Sequence, residues 1–250
     1  MAAPRFDVIS IFPEQFAGMV EVGVVGRAKQ KGLFSLKCWN PRDFTTDPHR
    51  TVDDRPYGGG PGMVMLADPL VKAVHAIRAD RGDQAPVVFM TPHGPLLKQS
   101  HVRTFVEQGA GAIFLCGRYE GVDQRFIDEY VDFTFCLGDF VLSGGELPVA
   151  CFVDAWVRLL PGALNHGSSA DQDSFESGLL DCPHYTRPEV FENKQVPDVL
   201  LSGNHAKIES WRFEQAKAYT KRYRPDLLDC LPGQPEPSGT SQAGKGGVKG

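Results

Sequence analysis

Three times in this chain a short apolar run ends in a glycine-bearing loop, and a segment of helical character follows. The fullest instance is L-G-D-F-V-L-S-G-G-E over residues 137–146, set between the apolar run 133–137 and a long apolar-periodic segment over 147–160. Residues 112–116 lead into Gly117-Arg118-Tyr119-Glu120-Gly121, and residues 87–90 into Thr91-Pro92-His93-Gly94. Apolar runs of strand length alternating with helical periods predict an α/β fold built on a mainly parallel sheet with helices on both faces. In such sheets ligands bind beyond the carboxyl ends of the strands. Glycines there let backbone come close to a ligand and leave amides free to face it. Three loops of this kind predict one shared pocket.

The rest of the chain fits around that unit. Residues 6–12 form a buried strand, Pro13 opens a short helix with Glu14 in its first turn, residues 23–31 read as a further helix, and 34–39 alternate like a strand. A long irregular stretch follows over 40–62, of mixed charge and ending in Tyr57-Gly58-Gly59-Gly60-Pro61-Gly62. A loop of that length in a compact domain marks function or disorder, and its charge and glycine run predict an ordered loop near a site. Asp68 is read as the cap of a helix with Pro69 at its first position. Helices are predicted over 99–108 and from Asp123 to Tyr130.

Past Pro161-Gly162 the character changes: residues 165–199 are polar and proline-containing with little periodicity. A helix over 204–223 follows, with Ile208, Trp211, Phe213 and Ala216 as its apolar positions, and residues 233–250 are rich in Gly, Ser and Pro. The domain reading is a catalytic domain over 1–164, an interdomain linker over 165–185, a small helical domain over 186–232 and a disordered tail over 233–250.

Composition narrows the class. No apolar run approaches the roughly 20 residues of a membrane helix, and residues 1–5 lack the shape of a signal peptide. Six scattered cysteines without C-x-x-C spacing fit reduced thiols in a cytoplasmic protein. The net charge of −5 gives no general support for a nucleic-acid partner. Locally, however, Lys207, Arg212, Lys217, Lys221, Arg222 and Arg224 face only Glu209 and Glu214, a surface on which a polyanion could dock. The same pattern also describes a solvated helix face.

Several chemistries lack their residues. There is no G-x-x-x-x-G-K-[ST], and no G-x-G-x-x-G opens a helix after the first strand. Ser143 has Val141 where a nucleophile elbow needs glycine. Cys182 and His184 are too few ligands for zinc, with no second pair nearby in sequence. What remains is a cofactor pocket without phosphate-binding equipment. S-adenosylmethionine suits it, its amino group meeting a carboxylate such as Glu120 or Glu146. Composition permits that ligand without selecting it.

Four stretches carry a more specific signal: R-T-V-D-D-R-P-Y-G-G-G-P-G-M over 50–63, C-G-R-Y-E-G over 116–121, G-D-F-V-L-S-G-G-E-L-P over 138–148 and G-L-L-D-C-P-H-Y-T-R-P over 178–188. In this order they resemble the bacterial tRNA (guanine-N1)-methyltransferase family TrmD, of the SPOUT class, over residues 6–231. The resemblance implies a deep trefoil knot, a rare exception to unknotted topology. It implies an S-adenosylmethionine pocket lined by Pro92, Gly94, Gly117, Tyr119, Glu120, Gly121, Leu137, Gly138, Leu142, Gly144 and Gly145. It further implies a homodimer with each site built from both chains, a magnesium requirement with unassigned ligands, and a tRNA substrate. The product would be 1-methylguanosine immediately 3′ of the anticodon (position 37 of the tRNA).

Guanine N1 carries a proton at neutral pH, so a general base must remove it as the methyl arrives, and charge then builds toward O6. By resemblance the base is Asp173, ahead of Ser174-Phe175, and the cation at O6 is Arg158. Read alone, Asp173 with Glu176 looks like a helix cap, and Arg158 like a cation at a helix C-terminus. Phe140 stands where the family often has tyrosine, and Gln172 where many members have a second acid. Three other readings remain open: a SPOUT enzyme acting on another RNA position, an RNA-binding module that keeps the fold, and a nicotinamide-dependent oxidoreductase lacking its fingerprint. Residues 165–181 are expected to order on substrate binding.

Overall fold

A computed structural model describes residues 3–164 and 173–230. The chain divides into two compact units, Met1–Ala170 and Asp171–Gly250, and the division falls inside the stretch read as a linker. The tail over 233–250, and with it Gln172, lies outside the described residues.

The first unit runs β1 (Arg5–Ile9), α1 (Pro13–Met19), α2 (Gly23–Gln30), β2 (Ser35–Trp39), a 3-10 turn (Pro41–Phe44), β3 (Asp53–Asp54), β4 (Val64–Met65) and α3 (Ala67–Arg81). It continues with β5 (Val87–Met90), α4 (Gln99–Gln108), β6 (Gly111–Leu115), α5 (Gln124–Tyr130), β7 (Phe133–Phe135) and α6 (Glu146–Arg158). Five strands form one sheet in the order β2-β1-β6-β5-β7, every pair parallel. The α/β parallel-sheet reading therefore holds.

β5 and β6 are buried along their whole length, so their sequences are unbroken apolar runs rather than alternations. Their side chains divide between two cores. On one face Phe6, Val8, Val88, Met90 and Phe114 pack with Phe152, Val153 and Trp156 of α6, joined by residues of α1, α2 and α4. On the other, Ile9, Val87, Phe89, Ile113 and Leu115 pack against Leu70, Val74 and Ile77 of α3 and Phe126 of α5. Phe105, Phe152 and Trp156 contact one another edge-on or tilted at 5.3–6.0 Å between centroids, which adds directional attraction to the buried area. The one acid inside β1, fully buried Asp7, is neutralised by Arg5 and Arg81 and accepts a hydrogen bond from Trp39 Nε1 at 2.8 Å.

Local expectations shift in places. The helix read as capped by Asp68 is capped by Leu66, and Asp68 sits in the first turn, where it pairs with Lys72 at 2.7 Å. The acid still faces the positive end of the helix, two positions after the cap. The stretch over 40–62 is ordered, as expected: its far end makes β3, which pairs antiparallel with β4.

In the second unit β8 (Val190–Phe191) and β9 (Lys194–Gln195) form a hairpin, followed by α7 (Asp198–Leu201), α8 (His205–Tyr223) and a final 3-10 turn (Pro225–Cys230). Asn204 caps α8, its side chain accepting from Lys207 N at 3.2 Å. Phe213, one of the apolar positions read for this helix, is 52% exposed, with the Lys217 ammonium over its ring. No described helix is long and apolar enough to cross a membrane.

Candidate functional site

The three glycine loops meet at the carboxyl ends of β5, β6 and β7, and backbone bonds tie them together. Thr91 N donates to Phe135 O, Leu97 N to Cys136 O and Cys136 N to Pro95 O, all at 2.8 Å, so the first loop is laced to the third. Gly145 N donates to Gly117 O at 2.9 Å, lacing the third to the second. Two glycines are required by contact. A Cβ on Gly94 would lie 2.6 Å from Phe135 N, and one on Gly145 would lie 2.7 Å from Cys116 Cα. No larger residue fits where two backbones pass this closely.

All eleven residues assigned to the cofactor lie on these loops. Pro92 is exposed in the turn closed by Gly94 N to Thr91 O at 3.1 Å. Gly117 follows β6 directly. Tyr119 adopts φ +61°, a strained conformation for a non-glycine residue, and Gly121 N closes that turn on Arg118 O. Tyr119 is close to Arg42 and Asp53; burial pushes its phenol above the usual range. Glu120 is exposed. Leu137 and Gly138 lead into a tight turn, Phe140 N to Gly138 O at 2.9 Å, and Gly144 lies against the Arg118 guanidinium. Phe140, Val141 and Leu142 form an exposed apolar rim.

Beneath the loops lies a polar lock that sequence reading missed. Glu146 is 1% exposed and accepts from Ser10 Oγ at 2.6 Å and from Arg118 Nε at 2.9 Å. Arg118 also donates to Ser143 O at 3.1 Å and covers the Phe12 ring. Ser10 follows β1, Arg118 lies in the second loop and Glu146 begins α6, so one buried carboxylate joins three parts of the sheet end. Glu146, considered above as a ligand for an amino group, is fully committed to this structural role. The available signal was Glu146 at the start of an apolar helix, where an unpaired acid could not be buried.

The loop over 40–65 also reaches the site. Glu120 N donates to Met63 O and Met65 N to Gly121 O, both at 2.9 Å. Glu120 packs beside Gly62, whose missing side chain leaves room for it. Two sizeable cavities lie elsewhere: about 610 Å3 bounded by residues including Thr46, Pro69 and Phe126, and, in the second unit, about 580 Å3 between the 183–189 stretch and α8.

Arg158 is half-buried in the last turn of α6. Asp173 belongs to the second unit. No helix starts there, so the capping pattern with Glu176 is instead a turn: Glu176 N reaches Asp173 O at 3.4 Å, and Phe175 at φ +77° donates to Leu179 O at 2.7 Å. Ser174 Oγ accepts from Asp181 N at 2.9 Å, pinning the turn to the 181–184 stretch.

Comparison with known proteins agrees with this architecture. Residues 4–230 match the family described as tRNA (Guanine-1)-methyltransferase TrmD. A tRNA (guanine-N(1)-)-methyltransferase of Pseudomonas savastanoi pv. phaseolicola is 56% identical over 229 residues, covering 92% of this chain and 91% of the relative. One from Burkholderia multivorans is 56% identical over 230 residues, covering 90% and 87%.

Proposed function

The chain belongs to the TrmD family of tRNA (guanine-1)-methyltransferases, and from this we propose that it methylates N1 of the guanosine immediately 3′ of the tRNA anticodon. The observation that carries the reading is the convergence of three laced glycine loops at one end of a parallel sheet, in a chain matching this family over 4–230. With the family goes the trefoil knot that the resemblance implies, in the region where the loops pass closely at Gly94 and Gly145.

The loop residues fit S-adenosylmethionine. Their glycines leave a cradle that side chains would fill, and the apolar rim of Val141 and Leu142 suits an adenosine. When bound, this donor supplies an electrophilic methyl group. Pro92, Gly94, Gly117, Tyr119, Gly121, Leu137, Gly138, Leu142, Gly144 and Gly145 bind it, and Glu120, exposed on its loop, is the carboxylate open to its amino group.

Asp173 takes the proton from guanine N1, leaving the nitrogen lone pair for the methyl. Arg158 holds the charge that gathers on O6. The turn from Asp173 to Leu179 fixes the backbone that carries the base. A homodimer in which each site draws on both chains and a cytoplasmic location complete the reading; of the segment expected to order on tRNA, residues 165–172 lie outside the described residues. The resemblance adds a magnesium requirement whose ligands stay unassigned; the Asp181-Cys182-His184 cluster among the described residues contains a thiol and an imidazole, which suit magnesium poorly. No step is assigned to it.

The test is methyl transfer from labelled S-adenosylmethionine to two tRNA transcripts, one with guanosine and one with adenosine 3′ of the anticodon. Label is expected on the guanosine transcript alone, and Asp173→Ala should lower the rate by about 10²–10⁴-fold. Label on both transcripts overturns the substrate position, and a fully active variant removes Asp173 as the base.

A further inference from the structure

The second unit brings together three donors that sequence spacing alone did not. Asp181, Cys182 and His184 each offer a ligand atom, all within 4.8 Å of one another. His184 Nε2 stands 2.7 Å from Asp181 Oδ2. We propose that Asp181, Cys182 and His184 form a binding site for a zinc-class divalent ion, with the fourth position open to water.

Donor chemistry sets the ion. Thiolate and imidazole favour zinc and its borderline-soft neighbours over magnesium or calcium, which take oxygen. At ordinary zinc–ligand distances, tetrahedral donors sit roughly 3.3–3.8 Å apart. The Asp181–His184 pair needs to open by about 0.6–1.1 Å from its present hydrogen bond, and a sulfur at the outer limit of that cluster to close by about 1–1.5 Å. His184 is free to do so, its side chain 72% exposed, while Cys182 is buried, only 7% exposed, and supplies the fixed point.

The surroundings are already fixed. Cys182 N donates to Asp181 Oδ1 at 2.6 Å, orienting the carboxylate so that its other oxygen faces His184. Asp181 N is held by Ser174 Oγ and Leu180 N by Thr220 Oγ1, both at 2.9 Å.

The site also answers a physical need. Among the described residues of the second unit, only Leu179, Cys182 and Thr220 are buried. A unit this small with so little core is one that a bound metal can help to order. Here the staple closes the 181–184 stretch beside Ser174, and so steadies the turn that carries Asp173. The proposal stands apart from the methyl-transfer reading, because its test reads metal ligation directly.

The full chain, stripped of metal under reducing conditions, is titrated with Co2+ as a spectroscopic probe. One equivalent should produce thiolate-to-cobalt charge-transfer absorption with strong visible bands of a four-coordinate ion, and Zn2+ but not Mg2+ should abolish them. Cys182→Ser should remove the charge-transfer band. His184→Ala, at an exposed position whose loss the fold tolerates, should weaken Co2+ binding by more than about 10-fold. Absence of the thiolate band in the unaltered protein, its persistence in Cys182→Ser, or unchanged affinity in His184→Ala would each overturn the site.

Discussion

The two units hold their functional residues in opposite ways. In the first, polar groups near the glycine loops are spent on one another: Glu146 on Ser10 and Arg118, Gly145 N on Gly117 O, Cys136 N on Pro95 O. Two buried cores support that rim from both faces of the sheet. In the second, Tyr185, Phe191, Phe213 and Tyr223 are about half exposed or more, and α8 keeps most of its cations in solvent. Rigidity is built into the part proposed to cradle a small cofactor. The part proposed to meet a large, charged substrate keeps its side chains available. A small ligand is recognised by preorganised backbone, a polyanion by exposed charge and stacking surface.

Breaking the lock of the first unit should have the largest effect. Glu146→Ala leaves the Arg118 guanidinium, whose side chain is 16% exposed, without its partner. Removing one member of a buried pair costs about 3–5 kcal/mol. Thermal unfolding should fall accordingly, and calorimetry should show cofactor binding lost. An unchanged midpoint would mean that the backbone lacing suffices without the carboxylate. Gly145→Ala is next. Gly145 has an ordinary φ of −80°, so the cost is purely steric, against Cys116 Cα at 2.7 Å and Gly117 N at 2.8 Å. About 1–3 kcal/mol of overpacking is expected, with cofactor affinity falling more than stability, because the strain is relieved by parting the second and third loops. Equal loss in both would place the strain in the core instead.

The same division explains what the sequence made legible. The sheet was readable because β5 and β6 are uninterrupted apolar runs, and α4 because its period and ends are regular. The loops were readable because glycine is forced wherever backbones pass closely. What escaped depended on partners distant in sequence. Ser10 and Glu146 are 136 residues apart, and no local pattern announces that bond. Asp173 and Glu176 showed the right spacing for a cap, but Phe175 at φ +77° turns the chain away from a helix. Cys182 and His184 looked too few for a metal because the third donor, Asp181, is an acid among many until its geometry is known. The roles of Asp173 and Arg158 came from resemblance alone.

An intermediate effect is expected where the second unit does have a core. Thr220 is fully buried; its hydroxyl accepts from Leu180 N and donates to Ala216 O at 2.7 Å. Thr220→Val keeps the shape but leaves the Leu180 amide without its acceptor, a cost of about 1–3 kcal/mol. The loss should be local: faster amide exchange over 173–182, a lower methyl-transfer rate, and little change in the unfolding of the first unit. A uniform drop in both units would show them to be one cooperative body, and the contrast drawn above would fail.

The smallest effect on folding, and the sharpest on partner choice, belongs to the exposed cations of α8. Lys207 and Lys221 sit on the solvent side of a helix whose only buried residue is Thr220. Lys207→Ala with Lys221→Ala should leave the unfolding midpoint unchanged, since exposed charges contribute little to stability. If they meet phosphates, tRNA affinity should fall, and the slope of log affinity against log salt should flatten by about one per lost contact. Cofactor affinity, set in the other unit, should not move. An unaltered salt slope would make this basic stretch a solvated helix face, the ordinary reading of its charge pattern. The surface that receives the tRNA would then have to be sought elsewhere, starting with the cavity of about 580 Å3 where Arg187, Arg212, Tyr185 and Trp211 come together.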